Sequence, residues 1–166
     1  ISEHSYIQFS LNRWLGDIKG GQTAYHWGHK ISQVFSIQSW NANDLQLWGE
    51  KPDYSPLGFF GVHYVSVAYS LSHHMNTPYQ FGVRLQANYN HLYIESMSGI
   101  TLDVGALFPL NSFLTAGVAV RNVGYEYTNN LRAKLPVELG LGTEWKLPFK
   151  ISVLTDAIYL AEKKTD

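Results

Sequence analysis

The chain has 166 residues, a formal net charge of −1 and no cysteine; 45% of its residues are hydrophobic, 14% are aromatic and 15% are charged. Soluble globular domains average about a quarter charged residues, so this chain is poor in charge and rich in aromatic side chains. The near-zero charge excludes a basic field for nucleic acid, and the lack of cysteine excludes disulfides and thiolate metal sites. No apolar run reaches the roughly 18 residues that a transmembrane helix needs.

Alternating apolar and polar residues, the period of a β-strand, predict four strands in the first 72 residues. These strands cover residues 4–11, 18–27, 30–40 and 58–72. Between the third and the fourth, residues 41–56 combine Asn, Asp, Gly and two Pro, which favour turns and loops. We therefore expect a long external loop at 41–56, with room for a short strand within it.

The longest and most regular alternation lies at residues 79–93. Its apolar face carries Tyr79, Phe81, Val83, Leu85, Ala87, Tyr89 and Tyr93, and its polar face carries Gln80, Gly82, Arg84, Gln86, Asn88 and Asn90. Strands in soluble domains usually run about five or six residues. A tilted transmembrane strand needs about nine to eleven residues in lipid alone. The length of this strand therefore indicates a membrane β-barrel.

Four further strands are predicted at 100–108, 113–123, 133–147 and 149–160, which gives nine in all. Short turns alternate with longer links, the turns lying at Gly28, His73, Pro109 and Pro148 and the links beginning at Asn12, Asn41, Ser96 and Gly124. Outer-membrane barrels have short periplasmic turns and longer external loops. The expected fold is therefore an all-β, antiparallel, up-and-down transmembrane β-barrel, with a single domain over residues 1–166.

A soluble β-sandwich would alternate in the same way, because one face of each strand would be core and the other would meet water. Its polar face should then be rich in Lys, Glu and Asp. Here the polar positions are mostly Gly, Ser, Thr, Gln and Asn. That composition suits a crowded, wet interior, and it favours a barrel whose outer partner is the lipid bilayer.

Five charged residues, one from each of five consecutive predicted strands, share the polar face: Arg84, Asp103, Arg121, Glu138 and Asp156. If Thr101 pairs with Arg121 around the turn at Pro109, Asp103 lies diagonally beside Arg121. An isolated ion costs several kcal/mol to desolvate, so the charges should pair. We expect a lumen charge network that holds the strand register, with a ligand site as the alternative.

No arrangement of catalytic or metal-binding residues stands out in the sequence. His26 and His29 span one turn and His73 and His74 lie in another, without a carboxylate or cysteine at ligand spacing. No serine has a histidine and a carboxylate placed to activate it, and no glycine-rich phosphate loop leads from a strand into a helix. We expect no enzymatic activity, no metal and no cofactor.

Short strand motifs follow one another in a definite order between residues 14 and 155. They are Trp14-Leu15-x-Asp17-Ile18 with Tyr25, then Phe81-Gly82-Val83, Thr101 to Leu107, Ala119 to Gly124, and Leu135-Pro136 with Leu139 to Gly142. This ordered series resembles the PorV/PorQ-type outer-membrane proteins, which belong to a wider group of barrels similar to the long-chain fatty-acid transporter FadL.

The resemblance implies a barrel of about fourteen strands, in keeping with the even strand number of such barrels. It also implies a location in the outer membrane of a Gram-negative-type bacterium and a non-enzymatic role in a type IX secretion system. Nine strands are predicted, and both the glycine-rich first strands of the family pattern and a terminal aromatic strand are missing, so we expect a piece of a larger barrel, truncated at both ends. A tenth strand within residues 41–56, which would close a small barrel, is the alternative.

Two functions follow from the resemblance. In the first, the external loop engages secretion-system subunits or exported cargo proteins through Asn43, Asp44, Leu45, Trp48, Asp53 and Tyr54. The alternative is a FadL-like transporter of small hydrophobic molecules. Transport would need an apolar pocket for a lipid-like ligand, to which Tyr64, Leu107 and Ile158 could contribute.

Overall fold

The computed structural model describes residues 5–14, 18–28, 30–49, 54–74, 78–128 and 131–161. They form ten strands: β1 (Tyr6–Arg13), β2 (Lys19–Trp27), β3 (Ile31–Leu47), β4 (Gly58–His74), β5 (Gln80–Leu92), β6 (Glu95–Pro109), β7 (Leu114–Thr128), β8 (Leu131–Lys134), β9 (Val137–Leu147) and β10 (Ile151–Ala161). A 3₁₀ turn, Pro148–Lys150, joins β9 to β10. Within these ranges, no helix is long and apolar enough to cross a membrane.

All ten strands belong to one antiparallel, up-and-down sheet, as the alternation predicts. The order is β1-β2-β3-β4-β5-β6-β7-β9-β10, and β8 also pairs with β7. β8 and β9 follow β7 in one register, since Tyr125 pairs with Lys134 and Arg121 with Glu138. Pro136, which has no N–H to donate, separates them. The predicted eighth strand is therefore split in two, and the described ladder ends at β1 and β10 without closing.

The connections define two ends of the sheet. We call the end with links 28–30, 75–79, 110–113 and 148–150 the turn end, and the opposite end, with links 14–18, 48–57, 93–94 and 129–130, the loop end. The turn-end links have three to five residues and are short, as predicted. The predicted strict alternation with longer links is wrong, because β6 already begins at Glu95 and β7 continues to Thr128. The link 48–57 is the long one, with ten residues.

β3 runs through the first half of the predicted long loop. Its residues pair with β4 as far as Leu47, which lies opposite Gly58. A bulge between Ala42 and Leu45 shifts the register, and Asp44 takes a φ of 59°, in the left-handed region that Asp tolerates. The prediction of a loop from residue 41 is therefore wrong for residues 41–47, because a bulge can hold polar residues inside a strand.

The two faces of the sheet differ in both composition and exposure. Along β5, exposure alternates residue by residue from half-buried Gln80 to half-buried Asn90, with the apolar residues between them exposed. We call the face with Phe81, Val83 and Leu85 the outer face, and the opposite face the inner face. The pairing carries these faces across the whole sheet, because directly opposed residues share a face.

Among the described residues, no second layer packs on this sheet to enclose an apolar core. The most buried side chains are small and belong to the inner face: Ala24, Ser36, Ser66, Ala68 and Thr101. The substantial contacts between described elements all join strands that neighbour each other in the ladder. A soluble sheet would bury its apolar face against a second layer. Here most apolar residues of the outer face are exposed, and a few, such as Leu71, Phe108 and Val120, are half-buried.

Successive hairpins are displaced along the strand direction. One row of directly opposed outer-face residues consists of Trp27, Gln33, Leu71, Val83, Val104, Val120, Leu139 and Tyr159. Trp27 is the last residue of β2 before the turn end, whereas Leu139 precedes the end of β9, at Leu147, by eight residues. The turn therefore shifts by eight residues between the β2–β3 and β9–β10 hairpins, which are six ladder positions apart.

Candidate functional site

The inner face of β3 to β7, β9 and β10 borders one open concavity with a volume of about 830 Å³. Its floor is a row of directly opposed small residues, namely Ser32, Ser72, Gly82, Gly105, Ala119 and Gly140. The row ends at Ile158 in β10. Because these side chains are short, a bound group could approach the backbone of six neighbouring strands.

The five predicted lumen charges all lie on the inner face. Arg84 lies directly opposite Asp103, and Arg121 directly opposite Glu138. Asp156 lies opposite Gly142, four residues along β9 from Glu138, and a Cβ on Gly142 would overlap the Asp156 carboxylate. The charges therefore form two opposed pairs and one separate carboxylate.

Hydrogen bonds give Arg84 and Asp103 other partners. Arg84 Nη2 donates to Gln86 Oε1 over 2.6 Å, and Asp103 Oδ1 accepts from the backbone N–H of Asn122 over 2.9 Å. Arg84 Nε is buried without a hydrogen-bond partner among the described residues. The predicted pairing of Thr101 with Arg121 is wrong, since Thr101 pairs with Gly124.

A ladder of polar side chains along β5 extends from Arg84 toward the loop end. Gln86 Nε2 donates to Asn88 Oδ1 over 2.5 Å and to Tyr64 OH over 3.1 Å, and Tyr64 OH donates to Asn88 Oδ1. Tyr64 is therefore engaged in a polar network, not in an apolar pocket. The residues are spaced by two along the strand, which was the signal in the sequence that could have linked them.

Glu144 is a further carboxylate beside the concavity, and it is not among the five charges predicted for the inner face. It lies opposite Thr115, and both side chains line the space. Leu107, Leu154 and Ile158 form an apolar portion of the lining. The even spacing of Glu144 from Glu138 along β9 placed both residues on one face and was the available signal.

The residues predicted for the partner loop divide between β3 and the loop itself. Asn43 and Asp44 are exposed at the β3 bulge, and Leu45 lies opposite Phe60 in the ladder. Trp48 is exposed beyond the end of β3, and its Nε1–H donates to Gln46 Oε1 over 3.2 Å. Tyr54 is exposed as well, and Asp53 lies outside the described residues.

The described residues contain no group of three or more His, Asp or Glu side chains placed to hold a metal ion. Comparisons of the chain with family models, with curated proteins and with solved structures find no match. The proposal for function therefore depends on the two faces of the sheet, the concavity and the loop end.

Proposed function

We propose that the chain forms part of the wall of an outer-membrane β-barrel and acts without catalysis, by engaging exported or partner proteins at its loop end. The observation that carries the proposal is the exposure of the apolar face of the sheet, the reverse of the arrangement in a soluble sheet. Its outer face is mostly apolar and exposed, whereas the inner face of β3 to β7 and β9 carries mostly polar or small residues that are half-buried or buried. In a bilayer, the outer face would meet acyl chains and the inner face a wet lumen.

The stagger of the hairpins supports the same proposal. A strand rises about 3.3 Å per residue and lies about 4.8 Å from its neighbour. If all turns lie at one membrane surface, a shift of eight residues over six ladder positions corresponds to a strand tilt of about 40°. Strands of transmembrane barrels are tilted by about 35–45°.

The direction of the edge strands sets a condition on the barrel. β1 and β10 occupy the first and ninth places of the ladder, so they run in the same direction. Their direct pairing would be parallel, whereas barrels of this type are antiparallel. Unpaired edges in lipid leave N–H and C=O groups without partners, at several kcal/mol each. The proposed barrel therefore requires further strand pairing between these two edges.

The loop end is the proposed contact surface for other proteins, as in the PorV/PorQ-type components of type IX secretion systems that the motif series resembles. Exposed aromatic residues there, Trp48 and Tyr54, suit this role because aromatic side chains are enriched at protein interfaces. The ladder pair Leu47–Gly58 closes the segment, with Leu57 N donating to Leu47 O over 2.7 Å. Substitutions within the loop should therefore leave the sheet intact.

Membrane partition tests the first half of the proposal. The full chain should be recovered with the outer-membrane fraction and should resist extraction by alkaline carbonate. Recovery in the soluble fraction would contradict a membrane wall.

Partner capture tests the second half. The double substitution Trp48→Ser/Tyr54→Ser should abolish co-purification of partner proteins. Phe149→Ser is a matched control, because Phe149 is 94% exposed at the turn end. Equal capture by both variants would contradict docking through the loop.

A FadL-like transporter of small hydrophobic molecules is the second candidate, and the concavity favours it. Gly82→Leu would fill the floor of this space, and a Cβ at Gly82 meets nothing closer than Leu71 O at 3.6 Å. Loss of uptake of a hydrophobic probe in this variant, with partner capture retained, would support transport. Unchanged uptake would argue against transport through the concavity.

A further inference from the structure

Charge is segregated between the two faces of the sheet. Six carboxylates occupy paired ladder positions, and all six lie on the inner face: Glu95, Asp103, Glu126, Glu138, Glu144 and Asp156. The outer-face ladder positions carry four cations at the loop end: Arg13, Lys19, Arg132 and Lys134. In the paired positions of the described strands, the charged Lys, Arg, Asp and Glu residues on the outer face at the loop end are therefore all positive.

Two of these cations lie where β8 pairs with β7. Tyr125 lies opposite Lys134, and Tyr127 opposite Arg132, so these four side chains form a square on the outer face. The guanidinium carbon of Arg132 lies 3.5 Å from the ring centroid of Tyr125 and 5.9 Å from that of Tyr127. Both rings are exposed. We call these four residues the basic tyrosine square.

The chemistry of the square matches a phosphate group. A guanidinium stacked flat on an aromatic ring keeps its N–H edge available for an acceptor, and it binds phosphate oxygens in pairs. Lys134 adds a second positive charge beside it. Tyrosine rings accommodate the boundary between acyl chains and water, because they combine an apolar body with a polar edge.

The surface below the square is apolar. Continuing along the outer face of β7 and its neighbour β6 toward the turn end, Val123 lies opposite Leu102, and Val104 opposite Val120. A ligand with a phosphate at the square could therefore lay hydrocarbon chains along the same strands. Charge complementarity and this apolar track together indicate an amphiphile.

We propose that the basic tyrosine square holds the phosphate group of a membrane lipid in the leaflet at the loop end. The inference rests on the proposed membrane insertion and deepens it, because it names a lipid contact on the barrel wall. Arg132 and Lys134 bind the phosphate, and the two tyrosines fix the guanidinium at the interface.

Lipid retention tests the proposal. The full chain is inserted into vesicles of phosphatidylcholine that contain phosphatidylglycerol and diacylglycerol with identical acyl chains, and the extracted protein is examined by native mass spectrometry. The wild type should retain phosphatidylglycerol in preference to diacylglycerol, which has no phosphate. Each cation near an anionic surface contributes about fivefold to binding. The double variant Arg132→Gln/Lys134→Gln, which removes two cations, should therefore reduce retention of phosphatidylglycerol by at least about tenfold.

Two variants control for charge and geometry. Lys146→Gln removes a cation from the inner face and should retain phosphatidylglycerol like the wild type. Arg132→Lys keeps the charge but loses the planar fork, and it should reduce retention about threefold. If the double variant does not insert, the result for Arg132→Lys decides, and unchanged retention there overturns the proposal.

Flotation with the vesicles distinguishes a failure of membrane insertion from a failure of lipid binding at the basic tyrosine square. A wild-type chain that does not float with vesicles contradicts membrane insertion and the lipid site together. Normal flotation with equal phosphatidylglycerol retention in wild type and double variant overturns the lipid site alone. Equal retention of phosphatidylglycerol and diacylglycerol by the wild type overturns it as well.

Discussion

Asp103 and Asn122 are joined across the β6–β7 ladder, where Asp103 Oδ1 accepts a 2.9 Å hydrogen bond from the backbone N–H of Asn122. The register shifts at this point, since Leu102 lies opposite Val123 but Val104 lies opposite Val120. Two residues of β7 therefore face Asp103, and this is a β-bulge. The carboxylate supplies an acceptor to the bulged strand, so Asp103 has a structural role beside its place in the candidate charge network.

Removing this acceptor should destabilise the sheet. Asp103→Ala should lower the free energy of unfolding by about 1–3 kcal/mol, because it leaves a part-buried N–H without its partner. Asp103→Asn keeps a side-chain oxygen and should cost less than about 1 kcal/mol. Urea titration of the folded protein in lipid vesicles measures both values. Equal losses in the two variants would mean that the negative charge matters and the hydrogen bond does not.

The backbone conformation of Asn122 leads to a separate prediction. Its φ of 59° lies in the left-handed region, which costs an ordinary L-residue about 1–2 kcal/mol and which Asn and Gly adopt more readily. Asn122→Gly should therefore leave the free energy of unfolding unchanged within about 1 kcal/mol. Asn122→Val should lower it by about 1–2 kcal/mol. A valine variant as stable as the glycine variant would show that the bulge relaxes into an extended strand.

The sequence predicts which face a residue occupies better than where a strand ends. The alternation over residues 79–93 places Phe81, Val83 and Leu85 on one face, and the pairing of β5 confirms it. That success has a simple physical cause, because a two-residue period fixes the face of every side chain in a continuous strand.

Strand ends and registers depend on local backbone geometry, which the two-residue alternation of the sequence does not reveal. Asn and Asp near residue 44 look like loop residues, yet Asp44 lies in a bulge and β3 continues to Leu47. The turn between β5 and β6 lies at Tyr93, with a φ of 57°, although the sequence favoured a loop starting at Ser96. The predicted pairing of Thr101 with Arg121 is wrong by three residues. Two of them arise at the turn, where Pro109 pairs with Thr115, and one arises at the bulge opposite Asp103, and alternation reveals neither.

The sequence predicts that the five charged residues of the candidate site share one face, but it does not predict their hydrogen-bond partners. The five charges lie on the inner face, as their spacing requires, and Arg84 lies opposite Asp103. The side-chain partners Gln86 for Arg84 and Asn122 for Asp103 depend on rotamers and on the bulge. These two features arise only once the strands are paired.

Close strand packing makes Gly124 intolerant of a side chain. A Cβ there would overlap the carbonyl oxygen of Ile100 and lie 2.8 Å from Thr101 Cα, and Thr101 is itself buried. Gly124→Ala should lower the free energy of unfolding by about 1–3 kcal/mol, the usual cost of overpacking.

Gly82→Ala is the matched control for this site. A Cβ on Gly82 would have only ordinary contacts, the nearest at 3.6 Å. Because alanine restricts the unfolded chain, this substitution should be neutral or stabilising by up to about 1 kcal/mol. Urea titration compares the two variants directly. A Gly124→Ala protein as stable as Gly82→Ala would show that the β6–β7 backbone moves apart easily.

Leu85 provides a depth-dependent test of the membrane wall. It lies near the middle of β5, between Tyr69 and Leu102 on the outer face, and it is 54% exposed. If that face meets lipid, Leu85→Lys should lower the free energy of unfolding in vesicles by about 2–4 kcal/mol, the cost of a cation near the bilayer midplane.

The dependence of the stability loss on depth distinguishes a bilayer from a packed protein layer on the outer face. Ser98→Lys lies on the same face nearer the loop end, opposite Tyr127, and should cost no more than about 1 kcal/mol because a cation near the interface reaches water. Thr115→Lys lies on the inner face opposite Glu144 and should be close to neutral for a different reason, since its charge meets a carboxylate in the lumen. A bilayer therefore predicts a large loss at Leu85 and small losses at the other two positions. Equal losses at Leu85 and Ser98 would instead mean that a packed protein layer covers the outer face.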